Sequence, residues 1–216
     1  MPFGVKPDAA GKLVDFDVVY RDLIVPAIEA AQLTPLRADE EMSGGIIHKP
    51  MFERLMLCEY AVADLTTANA NVFYELGVRH AFRPWSTVLL FAEGGRLPFD
   101  AAPLRALPYR LDAGGKPTDL EAGRDALTRR LKGARAKEKD SPVFQLVDWV
   151  VPPDVAHAKT DTFREQAEYS AKAKANLTSA RKEGIEKLRE AQRALGPVAD
   201  CEAGIVVDLF LSYRAL

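Results

Sequence analysis

One stretch of the chain, residues 63–80, places several chemically active side chains at a strand end and on the helix that follows. Its sequence is ADLTTANANVFYELGVRH, and Glu75 is the only carboxylate on the predicted helix. Asn71 is a candidate N-cap, which puts Glu75 in the first turn, near the positive end of the helix dipole. An ionised carboxylate there suits a nucleophile, or an anion that stabilises a cationic transition state.

Other polar groups are expected near Glu75, because ligands of open parallel sheets bind beyond the carboxyl ends of the strands. Three segments supply them: the N-terminal MPFG, the extended PLRADEE with the glycine pair after it, and the strand YAVADLT with its following loop. We expect the carboxyl oxygens of Asp64 and Glu75 to lie within ~10 Å, so that both reach one sugar-sized substrate. The candidate ligand-binding residues are Phe3, Gly4, Arg37, Asp39, Gly45, His48, Asp64, Thr66, Asn69 and Asn71.

Each of these residues, considered alone, can also have an ordinary structural role. Glu75 can serve only the helix dipole, Asp64 can simply end a strand, and His48 can be a surface residue. The span nevertheless combines a strand-end Asp and Thr, two Asn and a Glu flanked by apolar residues. That combination favours a site.

Helical and extended patterns alternate along the first half of the chain, which predicts an α/β fold with a parallel sheet covered by helices on both faces. Asp15 is a candidate helix cap, and Pro26 predicts a kink or buried irregularity in the first helix. The predicted strands lie near residues 34–38, 60–65, 86–92 and 108–112.

The composition changes after Asp112, and a mainly helical tail is predicted after Pro153. A long helix from about 160 to 195 precedes an apolar helix over residues 201–214. The final helix should pack against the long helix or a partner subunit, because its large apolar residues would otherwise form an exposed patch. These residues are Val206, Leu209, Phe210 and Tyr213. The predicted domains are residues 1–150 and 151–216.

Composition limits the function classes. The 216 residues carry a formal net charge of -2 and are 48% hydrophobic, which favours a soluble protein that binds neither nucleic acid nor membrane. No apolar run reaches the ~20 residues of a membrane helix, and the N-terminus has no signal-peptide core. The two cysteines form no metal-ligand pattern. We therefore expect a cytoplasmic protein with no metal and no cofactor.

VADLTTANANVFYELGVRHA resembles a motif of deoxyribosyltransferase-like domains, which are relatives of Toll/interleukin receptor (TIR) domains and nucleoside 2-deoxyribosyltransferases. The segments from DFDVVYRDLIVPAIEAAQL to LPFDAAPLRALPYRLD, with the tail EAGIVVDLFLSYRA, are similar to the N-terminal regulatory, or TRAF-binding, region of apoptosis signal-regulating kinases and its bacterial counterparts. In these relatives an apolar strand precedes MPFG and a tetratricopeptide-like helical array follows the domain. We therefore expect either that the first strand is missing or that the given start of the sequence is too late, and that the sequence is cut within a longer array.

The resemblance implies a flavodoxin-like sheet with a nucleotide- or nucleoside-binding cleft. In the enzymatic relatives the glutamate of the ELG motif acts at the sugar C1′, and Glu75 matches it here. Asp64 matches an aspartate that contacts the ligand, and Asn71 an asparagine that faces the ribose. The implied partners are a nucleotide-like small molecule such as NAD, a second copy of the chain, or a helical-repeat effector.

Three functions fit these expectations. The first is an N-glycosidase that cleaves the base–sugar bond of NAD or a related nucleotide, with Glu75 as the anion beside the oxocarbenium-like transition state. The second is a nucleotide-sensing signalling domain without turnover. The third is a protein-interaction scaffold in a stress or defence complex. The joint presence of Asp64, Asn71 and Glu75 weighs against the third.

Overall fold

The computed structural model of the chain is a mixed α/β structure that forms two compact units. The first unit consists of Met1–Pro35 and Leu55–His157, and the second of Leu36–Arg54 and Ala158–Leu216. The sequence predicted the two parts as residues 1–150 and 151–216. The structure describes residues 1–8, 10–37, 48–95, 105–158, 160–196, 209, 210 and 212–214.

The first unit opens with an antiparallel hairpin that the sequence analysis did not predict. Strand β1 (Val5–Pro7) pairs with strand β2 (Leu13–Asp15). The turn is held by Oδ1 of Asp8, which accepts hydrogen bonds from the backbone N–H groups of Ala10 and Lys12 at 2.9 and 2.8 Å. Such side-chain bonds to the following backbone are the usual reason that Asp occurs in turns.

The first helical region consists of helix α1 (Phe16–Val18), a π-helical segment (Val19–Ile24) and helix α2 (Val25–Ala30). Asp15 caps α1 by accepting from the N–H of Val18 at 3.1 Å, as predicted. The irregularity predicted at Pro26 is also confirmed, because the π-helical segment ends just before it. Pro26 has no N–H for the carbonyl four residues earlier, that of Asp22. Nε of Arg124 donates to that carbonyl instead, at 2.6 Å.

Three parallel strands form the sheet of the first unit in the order β3-β4-β5. They are β3 (Ala61–Asp64), β4 (Thr87–Ala92) and β5 (Leu107–Tyr109), which confirms three of the predicted strands. The strand predicted at 34–38 is wrong over residues 34–37, which have no regular structure. Pro35 lacks the N–H that a strand ladder requires. Residue 38 lies outside the described residues.

Helices cover both faces of this sheet, because the side chains of β4 alternate between them. Leu89 packs with Leu65, Val72 and Leu76 beneath helix α4 (Ala70–Phe82). On the opposite face, alternate β4 residues pack against the first helical region and helix α5 (Leu120–Gly133). The residues of this second cluster include Val88, Leu90, Ala92, Phe16, Leu23, Leu127 and Leu131. A short helix α6 (Pro142–Leu146) follows.

Helix α3 (His48–Leu57) precedes β3, and its residues 55–57 belong to the first unit. The second unit also contains helix α7 (Thr160–Glu183) and helix α8 (Ile185–Leu195). One continuous helix from 160 to 195 was predicted, and this is wrong. Gly184 has φ +110 and separates two helices that pack on each other through Leu177 and Leu188.

Part of the predicted final helix is described, and two of its apolar side chains are packed as expected. Leu209 is 5% exposed and lies in the cluster with Leu177 and Leu188. Tyr213 packs against the same cluster, and its hydroxyl donates to Oε1 of Gln192 at 2.6 Å. Phe210 is 63% exposed, and Val206 lies outside the described residues. Within the described ranges, no helix combines the length and apolar content of a membrane span.

Candidate functional site

The carboxyl end of β3 is occupied by Asp64, which is only 1% exposed and forms three internal hydrogen bonds. Its Oδ1 accepts from the backbone N–H of Thr66 at 2.9 Å and from the Thr66 hydroxyl at 2.5 Å. Its Oδ2 accepts from the hydroxyl of Tyr109 at 2.8 Å. Burial raises the pKa of Asp64, and the three hydrogen bonds oppose that rise.

Thr66 and Tyr109 extend these contacts to the other two strands. Oγ1 of Thr66 accepts from the N–H of Ala92, the last residue of β4, at 2.9 Å. It also lies 2.9 Å from the hydroxyl oxygen of Tyr109, the last residue of β5. Burial and the neighbouring Asp64 raise the pKa of the Tyr109 phenol. The Asp64–Thr66–Tyr109 ring thus ties together the ends of β3, β4 and β5.

The N-cap of helix α4 differs from the predicted one, Asn71. The N-cap is Asn69, whose Oδ1 accepts from the backbone N–H groups of Asn71 and Val72 at 2.9 and 3.3 Å. Asn71 is the second residue of the helix and is exposed. Its amide is therefore open to a ligand, whereas the Asn69 carbonyl is occupied by the helix.

Glu75 lies later in the helix than predicted. Ala70 is the first residue of α4, so Glu75 is in the second turn, and the first turn contains no acidic residue. Because the effect of the helix dipole falls off within the first turn, the predicted dipole stabilisation of Glu75 is wrong. Glu75 is half-buried. No hydrogen-bonding or ion-pair partner of its carboxylate occurs among the described residues.

Phe3 and Gly4 are the N-terminal residues predicted for the site, and their position beside Asp64 stays a prediction. The positive charge of the N-terminal amino group acts on Asp64 and lowers its pKa, although burial dominates. Phe3 is half-buried. The N–H of Gly4 donates to Oδ1 of Asp17 at 3.2 Å, and the carbonyl of Gly4 accepts from the N–H of Phe16 at 3.1 Å. The Gly4 backbone groups are therefore engaged within the unit.

The remaining predicted residues do not belong to the described first unit. Arg37 and His48 belong to the second unit, where His48 is the first residue of α3. Asp39 and Gly45 lie outside the described residues. Their gathering around Asp64 stays a prediction, as does the separation predicted between the carboxyl oxygens of Asp64 and Glu75.

Arg79 is a buried site that the sequence analysis missed. It lies on α4, is 1% exposed and has acceptors for all its donor nitrogens. Nη1 donates to the carbonyls of Leu55 and Cys58 at 2.9 and 2.7 Å, and Nη2 donates to the carbonyl of Glu59 at 2.9 Å. The remaining acceptors are the hydroxyls of Ser86 and Thr87, at 3.2 and 3.4 Å. Burial lowers the pKa of Arg79 to about 10, so it remains charged at neutral pH.

Two further side chains bind backbone carbonyls in the last turn of α3. Nε of Arg83 donates to the carbonyl of Met56 at 2.6 Å, and Nδ1 of His157 contacts the carbonyl of Leu57 at 3.3 Å. Together with Arg79, they engage five consecutive carbonyls, residues 55–59. The end of a helix leaves its last carbonyls without intrahelical partners, and cations there also favour the helix dipole.

A signal for these arginines is present in the sequence. Val72, Leu76 and Arg79 are spaced by four and three residues, so they share one face of α4, and Arg83 follows four residues later as the residue that ends the helix. Val72 and Leu76 are core residues, which places the two arginines on the buried side. A charged residue on an apolar stripe indicates a satisfied internal cation.

Metal ligands do not cluster in the described part of the chain: no group of three or more His, Cys, Asp or Glu suited to a metal ion occurs there. No protein-family model, curated protein or solved structure compared with the chain matches it. Fold and site therefore define a class: a mixed α/β protein in which three parallel strands end in a buried carboxyl–hydroxyl ring. The helix after β3 carries a glutamate that has no partner among the described residues.

Proposed function

We propose that the first unit binds a nucleotide or nucleoside at the carboxyl edge of its sheet. The observation that carries this proposal is Glu75, a half-buried carboxylate with no partner among the described residues, on the helix that follows β3. A partly desolvated acid left unpaired suits a ligand-binding group better than a structural one. The strand end before α4 is where open parallel sheets bind ligands.

The proposed sheet is flavodoxin-like, and the order β3-β4-β5 supports this because three consecutive strands lie side by side. The proposed family is that of the deoxyribosyltransferase-like and TIR-like domains of the regulatory region of apoptosis signal-regulating kinases. In this proposal the second unit, with its α7–α8 hairpin, starts a tetratricopeptide-like array that receives an effector or a second copy of the chain.

The proposed activity is cleavage of the N-glycosidic bond of NAD or a related nucleotide. The bond between the base and C1′ of the ribose breaks, and its electron pair leaves with the base. The Glu75 carboxylate either bonds to C1′ or stabilises the positive charge that develops on the sugar. The oxygen of a water molecule then bonds to C1′, any bond to Glu75 breaks with its electron pair returning to the carboxylate, and one water proton is released to solvent. Asn71, exposed at the start of α4, is placed to hydrogen-bond a ribose hydroxyl.

Asp64 has an indirect role in this proposal. Its oxygens are used by Thr66 and Tyr109, so it fixes the strand ends rather than contacting the ligand with a free oxygen. The ring holds the loop of residues 65–69, which leads directly into α4. A fixed loop at this point orients the helix that carries Glu75.

The test is base release from NAD⁺, followed by chromatography, with the wild-type protein and Glu75→Gln. Glutamine has nearly the same shape but no negative charge. We therefore expect Glu75→Gln to keep the melting temperature and to lower turnover by about 10²–10³-fold, as loss of a transition-state electrostatic contact does. Glu121→Gln, an exposed acid in the first turn of α5, is the matched control and should release base at the wild-type rate.

A non-catalytic scaffold is the second candidate, and one observation favours it. The oxygen acceptors of Asp64, Thr66, Asn69 and Gly4 make hydrogen bonds within the protein. A scaffold predicts no base release and no change in melting temperature with NAD⁺. A sensor predicts a raised melting temperature without base release. Base release by Glu75→Gln at the wild-type rate contradicts the enzymatic role of Glu75.

A further inference from the structure

A cavity of 890 Å³ lies in the first unit at the edge of the sheet opposite to the Asp64–Thr66–Tyr109 ring. Thr87 and Leu107, the first residues of β4 and β5, line it. Residues of α5 and of the segment that follows it complete the wall. The volume is in the range of cavities that bind small molecules.

Four cationic side chains line this cavity: Arg105, Arg129, Arg130 and Lys139. None of them has a hydrogen-bond or ion-pair partner for its side chain among the described residues. This separates them from Arg79, Arg110 and Arg124, whose guanidinium groups are engaged within the protein. Unpaired cations around a concave surface concentrate a positive potential there.

Two acids also line the cavity, and one of them, Asp140, interacts electrostatically with Arg130, so at most part of the charge of the four cations is offset. One carboxyl oxygen of Asp140 is used within the protein, because Oδ2 accepts a hydrogen bond from the backbone N–H of Thr87 at 2.9 Å. Its Oδ1 is out of contact with solvent and has no partner among the described residues. Burial raises the pKa of Asp140 to about 6, which reduces its negative charge further in mildly acidic solution. The second acid, Glu138, is exposed.

We propose that this cavity binds a small molecule carrying two or more adjoining phosphate groups. A guanidinium presents its N–H groups in a planar fork that fits phosphate oxygens in pairs, and three of the four cations are arginines. A single phosphate group can contact only some of the four cations, whereas the two phosphate groups of a diphosphate can contact several of them at once. Val88 and Leu107 add an apolar portion to the wall, where a group attached to the phosphates can lie.

The proposal does not depend on nucleotide binding at Glu75. The cavity is at the amino ends of the strands, and its lining contains none of the residues assigned to the candidate site at the other edge. A ligand held here is therefore an effector rather than the substrate of Glu75.

Inorganic pyrophosphate is the probe, titrated by calorimetry at fixed ionic strength into the full chain. We expect the double substitution Arg129→Gln with Arg130→Gln to weaken binding by tenfold or more, since each lost charge-assisted hydrogen bond is strong. Lys132→Gln removes an exposed cation of the same helix that does not line the cavity, and it should bind as the wild type does. Glu75→Gln should also leave pyrophosphate binding unchanged.

The affinities of two further ligands, inorganic phosphate and ADP, show which chemical group the cavity recognises. Inorganic phosphate should bind at least tenfold more weakly than pyrophosphate. ADP binding tighter than pyrophosphate assigns the site to nucleotides, and equal affinity assigns it to the diphosphate alone. Circular dichroism shows whether each variant is folded, and the single Arg129→Gln variant serves if the double variant is not. The proposal is overturned if pyrophosphate does not bind at millimolar concentration, or if the arginine variants bind it as tightly as Lys132→Gln does.

Discussion

The carboxyl group of Asp64 and the hydroxyls of Thr66 and Tyr109 form a closed ring of three oxygen–oxygen contacts, at 2.5, 2.8 and 2.9 Å. Each contact requires one proton, and the two hydroxyls supply two. With both hydroxyls donating to Asp64, the Thr66–Tyr109 contact has no proton. A protonated Asp64 allows the reversed circuit instead, in which Asp64 donates to Tyr109, Tyr109 to Thr66, and Thr66 to Asp64. Burial raises the pKa of Asp64, which acts in the same direction.

We therefore predict that Asp64→Asn is tolerated and that Asp64→Ala is not. The asparagine amide can donate to Tyr109 in place of the acid proton while its oxygen accepts from Thr66, so the unfolding free energy should change by less than about 1 kcal/mol. Alanine leaves the buried hydroxyls of Thr66 and Tyr109 without this partner and should cost about 1–3 kcal/mol or more. Urea unfolding at pH 7 measures both changes. A large loss in Asp64→Asn, or an ionised carboxylate in the infrared spectrum at pH 7, contradicts the protonated ring.

At the scale of single residues, the sequence predicted which residues belong to the candidate site but not which residues they contact. Asp64, Thr66, Asn69 and Asn71 were selected because a strand end and a helix start lay together in one short segment. The partner Tyr109 is more than forty residues away, and nothing local to Asp64 indicates that its hydroxyl reaches the ring. The cap was assigned to Asn71 because both asparagines are good N-caps and lie two residues apart.

Among the elements, α7 and α8 show how one residue decides between one helix and two. The segment of residues 160–195 is rich in helix-forming residues, so its composition predicted a continuous helix. Gly184 adopts φ +110 and ψ 177, a conformation that is essentially restricted to glycine. The chain reverses there, and Leu177 of α7 and Leu188 of α8 are buried together.

Gly184→Ala should destabilise this hairpin. No atom obstructs the new Cβ, so the cost is backbone strain, about 1–3 kcal/mol at such a φ and ψ. Gly133→Ala is the matched control, because Gly133 has helical φ and ψ of -64 and -34 and likewise open space around its Cβ. Alanine at that position should be neutral or stabilising. Urea unfolding followed by far-ultraviolet circular dichroism compares the two, and equal stability of both variants argues against strain at Gly184.

Strands were predicted where the pattern was strong and missed where it was weak. β3, β4 and β5 are short apolar runs, typical of parallel strands buried on both faces. β1 and β2 have three residues each; all three side chains of β1 and one of the three in β2 are exposed. Gly115 shows why such contacts escape prediction: a Cβ there would meet the carbonyl oxygen of Leu13 at 2.0 Å, a contact made only in the folded chain.

Across the described part of the molecule, three buried groups have shifted pKa values that change stability in acidic solution: Asp64, Asp140 and His80. Asp64 and Asp140 have raised pKa values, so their contribution to stability is full below the unfolded pKa and is lost as pH rises through the folded pKa. For Asp140 that window is from about 4 to about 6. His80 acts in the opposite sense. Burial, with a smaller effect of Arg79, lowers its pKa from 6.5 to about 4.

His80 is 5% exposed on α4, and its backbone carbonyl accepts from the hydroxyl of Ser141 at 2.6 Å. The folded protein holds the imidazole neutral at pH 5, whereas the unfolded chain protonates it. The stability due to His80 is therefore full above pH 6.5 and is lost as pH falls towards 4. The shift corresponds to about 2–3 kcal/mol over that window.

His80→Gln should flatten the acid side of the stability profile. Glutamine is polar and of similar length but does not titrate, so the variant should lose about 2–3 kcal/mol less than the wild type between pH 7 and pH 4. At pH 7 it should be no more stable than the wild type, because the neutral imidazole is already accommodated there. Asp140→Asn should change the profile in the opposite direction, by removing a gain in stability on acidification. Urea unfolding at half-unit pH steps measures all three proteins. If wild type and His80→Gln lose the same free energy between pH 7 and pH 4, His80 is not the buried neutral base that its position in α4 predicts.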